Sequence, residues 1–285
     1  MSPSAERDGL GWATAAPDEL RHAMDRAAQH PGCIGHTLHY YDTVGSTNDV
    51  ARELACGGAR PGLVVIAERQ TAGRGQRGRS WFSPADSGLY VSVLLGLPVH
   101  PRHEPGVGLL TLGSGVALAD ALGSVAGVEV RLKWPNDLVI EAPPARRRKI
   151  GGILAEGVVR EGTVADVVLG FGINVRREAY PADLAGVATS LEEATGAPIR
   201  RGDVLAEALR ALDRVVADLF GGRVAEILDR WRRLSPSASG ATVRWTLAGG
   251  ARRVGTTEGI DGDGALRVRT TTGLERVVSA DLTWD

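Results

Sequence analysis

A glycine-rich stretch that carries three arginines is the first feature of this sequence that could do chemistry. Residues 71–81 read TAGRGQRGRSW, in which Arg74, Arg77 and Arg79 stand two or three positions apart. Guanidinium groups this close repel one another unless an anion neutralises them, and glycine lets backbone amides approach phosphate or carboxylate oxygens. A hairpin connection that uses glycine for unusual dihedral angles is the alternative. The charges favour a cage for a polyanionic ligand.

The glycines of this stretch also have the G-x-G-x-x-G spacing of dinucleotide-binding turns, at Gly73, Gly75 and Gly78. That motif needs a helix that opens at the third glycine and an acidic residue about 20 positions further on. Here Pro84 and Gly88 interrupt any helix, a strand pattern follows, and no acidic residue stands at the required distance. The sequence therefore argues against a Rossmann nucleotide site.

Four further segments place hydrogen-bonding or cationic side chains beside glycine or proline. They are GSTN (45–48), RLKWPNDLV (131–139), KIGGIL (149–154) and GFGINV (170–175). GSTN could serve only as a helix cap and Pro-Asn-Asp only as a turn, but glycine inside a strand often marks the close approach of a ligand or another backbone. Every lysine and asparagine of the chain lies in or beside these segments: Lys133, Lys149, Asn48, Asn136 and Asn174. Because arginine supplies nearly all other basic side chains, we expect these positions to be the ones where its chemistry does not suffice.

Taken in order, GSTN, QTAGRG-x-x-GR-x-W, KWPND, KIGGIL and G-x-GINV resemble the biotin–protein ligases. The resemblance covers about residues 40–280 and is to the monofunctional type, without an N-terminal DNA-binding domain. It implies an α+β fold, with a class II synthetase-like mixed or antiparallel sheet flanked by helices and a small C-terminal SH3-like β-barrel.

The resemblance implies a two-step reaction with ATP and biotin as substrates. The biotin carboxylate attacks the α-phosphorus of ATP, which gives biotinyl-5′-AMP and pyrophosphate. A lysine amine of an apo biotin carboxyl carrier protein, from acetyl-CoA carboxylase or a related carboxylase, then takes the acyl group and releases AMP. Mg²⁺ is expected through the ATP phosphates, without a metal site of the protein's own. Concentrated positive charge suits the joining of two anions, and a glycine-rich lid would keep water from the adenylate.

The resemblance also assigns roles to individual residues. Lys149 and Arg74 are the catalytic residues that it implies. The biotin-binding set is Ser46, Thr47, Asn48, Gln70, Arg74, Gly75, Gln76 and Lys149. The ATP-binding set is Arg79, Lys133, Asn136 and Asn174. Gln76 departs from the family pattern, which commonly has arginine there.

Two alternatives stay open. The related lipoate–protein ligases use the same chemistry, but they carry a different arginine-rich, three-glycine motif followed by a His-Asp pair, where this chain reads GRGQRGRSW. A non-catalytic biotin-binding or sensing protein would use a similar pocket without turnover.

Composition limits the remaining classes of function. The formal net charge of −1 gives no general attraction to nucleic acid or membrane. Cys33 and Cys56 are too few for a disulfide framework and lack metal-ligand spacing. We expect no signal peptide, no stretch approaching the ~18 to 20 apolar residues of a membrane helix, and a cytoplasmic location. The 45 residues before Ser46 are too few for a winged helix, so we expect no DNA binding. A homodimer is possible.

Periodicity and turn residues predict the elements that must position these side chains. Helices are predicted over 18–29, 47–56, 106–125, 203–219 and 223–233. Strands are predicted over 36–43, 63–70, 88–97, 128–133, 137–141, 149–159 and 163–175, with a loop at 142–148. Residues 235–240 read as a small-residue linker, followed by four short strands. The predicted division is an N-terminal extension (1–35), a catalytic domain (36–235) and a small barrel (236–285).

Overall fold

A seven-stranded mixed sheet lies at the centre of the computed structural model, which describes residues 16–29, 32, 34–97, 106–142, 146–160, 162–247, 250–278, 280 and 282–284. Its strands are β1 (Thr37–Val44), β2 (Leu63–Gln70), β3 (Gly88–Gly96), β4 (Val130–Lys133), β5 (Asp137–Ala142), β6 (Arg146–Arg160) and β7 (Thr163–Asn174). Their order across the sheet is β1-β2-β3-β7-β6-β5-β4. The β1–β2 pair is parallel, and every other pair of neighbours is antiparallel.

Helices cover both faces of this sheet. They are α1 (Asp18–Ala28), α2 (Thr47–Cys56), α3 (Val107–Ala126), α4 (Leu191–Thr195), α5 (Arg201–Phe220) and α6 (Val224–Leu234). Side chains alternate along a strand, so one strand serves two cores. Val64 belongs to the main core, to which α1, α3, α5 and α6 also contribute, whereas Val65 packs in a second cluster with Ala51 of α2. The face that carries α2 is the face of the candidate site.

The core helix α3 corrects one expectation from the sequence. It is 20 residues long and apolar enough, by length and composition, to cross a membrane. However, 72% of its apolar 18-residue window is buried inside the protein. It packs between the sheet and the helices α5 and α6, so its apolar surface is accounted for by the core.

The C-terminal part of the chain forms a separate antiparallel sheet. Its strands are β8 (Ser239–Thr246), β9 (Arg252–Ile260), β10 (Leu266–Thr270), β11 (Gly273–Val277) and β12 (Thr283–Trp284), in the order β11-β10-β9-β8-β12. This is one strand more than predicted. The hydrogen-bonded ladder of the described residues is open at β11 and β12, so a closed SH3-like barrel stays a prediction.

Most predicted elements lie within a few residues of their observed bounds. The loop predicted at 142–148 is wrong at both ends: Ala142 ends β5, and residues 146–148 begin β6 and pair with β5. Residues 143–145 lie outside the described residues. The helix of the predicted N-terminal extension packs against α5 and contributes Leu20 and Ala23 to the main core. Ser235 and Ser237 are buried, so the predicted linker is a packed turn. Cys56 is a free exposed thiol, and Cys33 lies outside the described residues.

Candidate active site

One cleft on the α2 face of the sheet brings nearly all of the predicted site residues together. Its wall is built from the start of α2, the glycine-rich segment, the β4–β5 turn, β6, β7 and the end of the chain. The predicted residues in this wall are Ser46, Thr47, Asn48, Gln70, Arg74, Gly75, Gln76, Arg79, Lys133, Asn136 and Lys149. Segments that are far apart in the chain thus line a single cleft.

Asn174 is the predicted site residue that does not line this cleft. Its buried amide donates a hydrogen bond of 3.0 Å to the carbonyl of Thr189. The Thr189 amide in turn donates to the Lys149 carbonyl at 2.9 Å. Asn174 therefore holds the segment that pairs with the backbone of Lys149, and its contact with ATP stays a prediction.

The start of α2 is tied to the end of β2 through Gln70. Ser46 occupies the N-cap position but makes no side-chain capping hydrogen bond. The amide and hydroxyl of Thr47 donate to Gln70 Oε1 at 2.9 and 3.2 Å, and Gln70 Nε2 donates to Ser83 Oγ at 2.8 Å. The GSTN segment is therefore more than a helix cap, because its side chains build the cleft wall.

Asn48 is buried and held from several sides. Its Oδ1 accepts from Ser92 Oγ at 2.6 Å, and its Nδ2 donates to Glu156 Oε2 at 2.7 Å and to the Leu154 carbonyl at 3.2 Å. A Cβ atom at Gly170 would stand 2.1 Å from Asn48 Oδ1. The glycine on β7 is thus required by the approach of a protein side chain.

Trp81 explains two more strand glycines. A Cβ atom at Gly172 would lie 2.5 Å from the indole Nε1, and one at Gly152 would lie 3.3 Å from the same ring. Lys149 Nζ lies 5.2 Å from the ring centroid, within cation–π range. Trp81 was predicted only as part of the motif, but its indole forms part of the cleft wall.

Two lysines and one carboxylate define the electrostatics of the cleft. Lys149 Nζ lies 2.5 Å from Asp137 Oδ1, and Asp137 is the register partner of Lys133 across β4 and β5. Burial lowers the pKa of Lys133; Asp137 opposes this shift, whereas Lys149, Arg79 and Arg147 add to it. Among the described residues that line the cleft, Asp137 is the only acid. The site therefore presents positive charge to a ligand.

The glycine-rich segment has the backbone of a tight hairpin. The amide of Gly75 donates to the Arg79 carbonyl at 2.7 Å, and the amide of Trp81 donates to the Gly73 carbonyl at 2.8 Å. A Cβ atom at Gly73 would lie 2.4 Å from the Trp81 carbonyl oxygen, so this position needs glycine. The next element is the antiparallel strand β3, which excludes a βαβ dinucleotide-binding unit.

Arg74 does not depend on a ligand for neutralisation. Its Nη2 lies 2.8 Å from Asp49 Oδ1 and 2.9 Å from Glu156 Oε2. The expectation that all three arginines of the segment need an external anion is therefore too strong for Arg74. Glu156 was not predicted; its only sequence signal is a carboxylate two positions after Leu154 on a largely apolar strand.

The small C-terminal sheet reaches the same cleft. Ala280, Leu282 and Trp284 line it, although they carry no motif. The buried indole of Trp134 donates to the Gly264 carbonyl at 3.0 Å, which ties the β4–β5 turn to this sheet. Only the docking of the two sheets shows that the end of the chain contributes to the site.

With this fold and site in place, comparison with known proteins defines the class. Residues 40–174 match the biotin/lipoate A/B protein ligase family, and residues 238–281 match the biotin protein ligase C-terminal domain. The chain is 32% identical over 272 residues to a bifunctional ligase/repressor BirA of Bacillus subtilis, covering 93% of this chain and 79% of the relative. The chain belongs to the biotin/lipoate protein ligase family.

Further matches fall within the biotin branch of that family. The chain is 34% identical over 270 residues to a biotin–[acetyl-CoA-carboxylase] ligase of Mycobacterium tuberculosis, covering 87% of this chain and 91% of the relative. The solved structure of a biotin protein ligase from Aquifex aeolicus in complex with biotin and ATP has a TM-score of 0.70 and 26% identity, covering 88% of this chain and 99% of the other. The chain is thus similar over most of its length to biotin protein ligases.

Proposed function

We propose that this protein is an enzyme that attaches biotin to a lysine of a biotin carboxyl carrier protein, with ATP as the second substrate and biotinyl-5′-AMP as the intermediate. The observation that carries the proposal is the single cleft in which the five motifs meet. Lipoate and a non-catalytic sensor remain the alternatives that the experiment below separates.

In the first step, a carboxylate oxygen of biotin bonds to the α-phosphorus of ATP, and the bond to the bridging oxygen of pyrophosphate breaks. Both reactants are anions, so cations must hold them together. Lys149 and Arg74 bind the carboxylate and the α-phosphate. The nucleotide is bound by Lys133, Arg79, Asn136 and Asn174. The hydrogen-bonded wall of Ser46, Thr47, Asn48 and Gln70 binds the polar end of biotin, and Gly75 and Gln76 lie over it.

In the second step, the amine of the carrier lysine attacks the acyl carbon, and the bond to the phosphate oxygen of AMP breaks as the amine loses its proton. Water competes for the same carbon, so the adenylate must stay covered. The tight hairpin at 73–81 and the indole of Trp81 form that cover. The carrier of acetyl-CoA carboxylase or a related carboxylase is the proposed partner.

The residues of the cleft fit Mg²⁺ that arrives with ATP. Among the described residues, no group of three His, Cys, Asp or Glu side chains could hold a metal ion, and the cleft offers the single carboxylate of Asp137. Mg²⁺ is commonly bound by one or two carboxylates together with substrate phosphates and water. Bound in this way, it would neutralise charge on the phosphates.

The ligase acts in the cytoplasm, where ATP and carboxylases are found, and it does so without a role on DNA or a membrane. A net charge of −1 supports this, since it provides no general attraction to either surface. The C-terminal sheet would be a small SH3-like barrel, and a homodimer is compatible with the proposal.

Pyrophosphate release is the experiment that tests the function. The full chain is incubated with ATP, Mg²⁺ and either biotin or lipoate, with and without an apo carrier domain. Release that requires biotin, and mass gain of the carrier by one biotinyl group, are the expected results. Release with lipoate would favour a lipoate ligase, and biotin binding without any release would show a sensor.

A further inference from the structure

Glu156 joins two site residues from outside the cleft wall. Its Oε2 accepts from Asn48 Nδ2 at 2.7 Å and from Arg74 Nη2 at 2.9 Å, and Arg52 Nη2 lies 3.0 Å from the same oxygen. The side chain is 26% exposed, so the pair with Arg74 is partly shielded from water. Such pairs are screened less than fully exposed ones.

Arg74 is fixed by only one corner of its guanidinium group. Nη2 contacts both Glu156 and Asp49, whereas the buried Nε has no hydrogen-bond partner among the described residues. An arginine has five N–H donors in a rigid planar fork. Anchoring at one nitrogen therefore orients the group and leaves donors for a ligand in the cleft.

The geometry points to Glu156 as a positioning residue that holds Arg74 and Asn48 in one hydrogen-bonded unit, so that Arg74 meets the acyl-adenylate in a fixed orientation. This inference rests on the proposed function, because it assigns Arg74 to the adenylate. Glu156 does not line the cleft, so it acts through its two partners. Asp49 is the lesser anchor, since its side chain is 50% exposed.

The test is the dissociation rate of preformed biotinyl-5′-AMP from the full chain. It is measured with and without Glu156→Gln, both in the wild-type protein and in the Arg74→Ala variant. Glutamine keeps an oxygen that can accept from Asn48 but removes the charge that holds Arg74. We expect release about tenfold faster than from the wild type, with a raised KM for ATP and a smaller change in kcat. In the Arg74→Ala background, the same substitution should change the rate by less than about twofold, because its partner is already gone.

The control is Glu258→Gln, which breaks an exposed pair with Arg269 on the C-terminal sheet and should leave release unchanged. If Glu156→Gln fails to fold, Glu156→Asp takes its place, since it keeps the charge but shortens the reach. Unchanged or slower release, or equal acceleration in both backgrounds, would overturn the assignment. A wild-type protein that forms no adenylate would instead refute the proposed function on which the assignment rests.

Discussion

Gly170→Ala is the substitution whose effect the structure defines most sharply. The added methyl group would stand 2.1 Å from Asn48 Oδ1, 2.9 Å from its Cγ and 3.1 Å from its Nδ2. Contacts under 3.0 Å require one partner to move. Asn48 is only 3% exposed, so its amide must leave a buried position in which it makes three hydrogen bonds.

The magnitude follows from those hydrogen bonds. Each contributes a net ~0.5–1.5 kcal/mol, and a buried group left without a partner costs ~1–3 kcal/mol. Losing two of the three gives a loss of about 2 kcal/mol, divided between stability and biotin binding. We expect the free energy of unfolding to fall by roughly 1 kcal/mol and the Kd for biotin to rise about fivefold, which corresponds to the other ~1 kcal/mol.

Urea unfolding and calorimetric titration with biotin measure the two effects. Gly186→Ala is the matched control, because no atom lies within 4 Å of the added methyl group there. In the Asn48→Ala background, Gly170→Ala should cost little, since the clashing side chain is absent. Wild-type biotin affinity in Gly170→Ala, or a full additional cost in that background, would refute this account of the β7 glycine.

Three further outcomes follow from the cleft. The Lys149→Arg variant should fold, but its single-turnover pyrophosphate release should be at least about tenfold slower, because the wider guanidinium cannot take the place of an ammonium 2.5 Å from Asp137. A wild-type rate would show that any cation suffices. The KM for ATP should rise as the pH increases through the lowered pKa of Lys133, because the lysine loses its positive charge there. Lys133→Arg should move this rise in KM to higher pH. Identical pH profiles of KM for the two proteins would contradict the prediction. Trp134→Phe should lower the free energy of unfolding by ~1–3 kcal/mol, since the Gly264 carbonyl loses a buried donor. It should also raise the KM for ATP more than the KM for biotin. Unchanged unfolding in urea would exclude the role of this contact.

Local signals predicted most of the elements but missed α4 and β12, and the resemblance of the five motifs named the candidate site residues. Strand alternation, helix periodicity and turn residues are patterns among neighbouring positions. The bounds of β2, α2, α3 and α5 could therefore be predicted to within a few residues. The resemblance of the five motifs to the biotin–protein ligases predicted one shared site, and the scarce lysines and asparagines lie in or beside those motifs. Eleven of the twelve predicted site residues line that cleft.

The tertiary structure decided which partners those residues have. Glu156 is 82 positions from Arg74 and 108 from Asn48, and Trp134 is 130 positions from Gly264, so no local pattern encodes these contacts. Glycines that suggested room for a ligand instead make room for Asn48 and Trp81. The sequence by itself thus determined which chemical groups are available and which glycine-, proline- or serine-marked segments carry them. Their pairing, their burial and the contribution of the chain's end required the folded sheet, because each depends on distances across it.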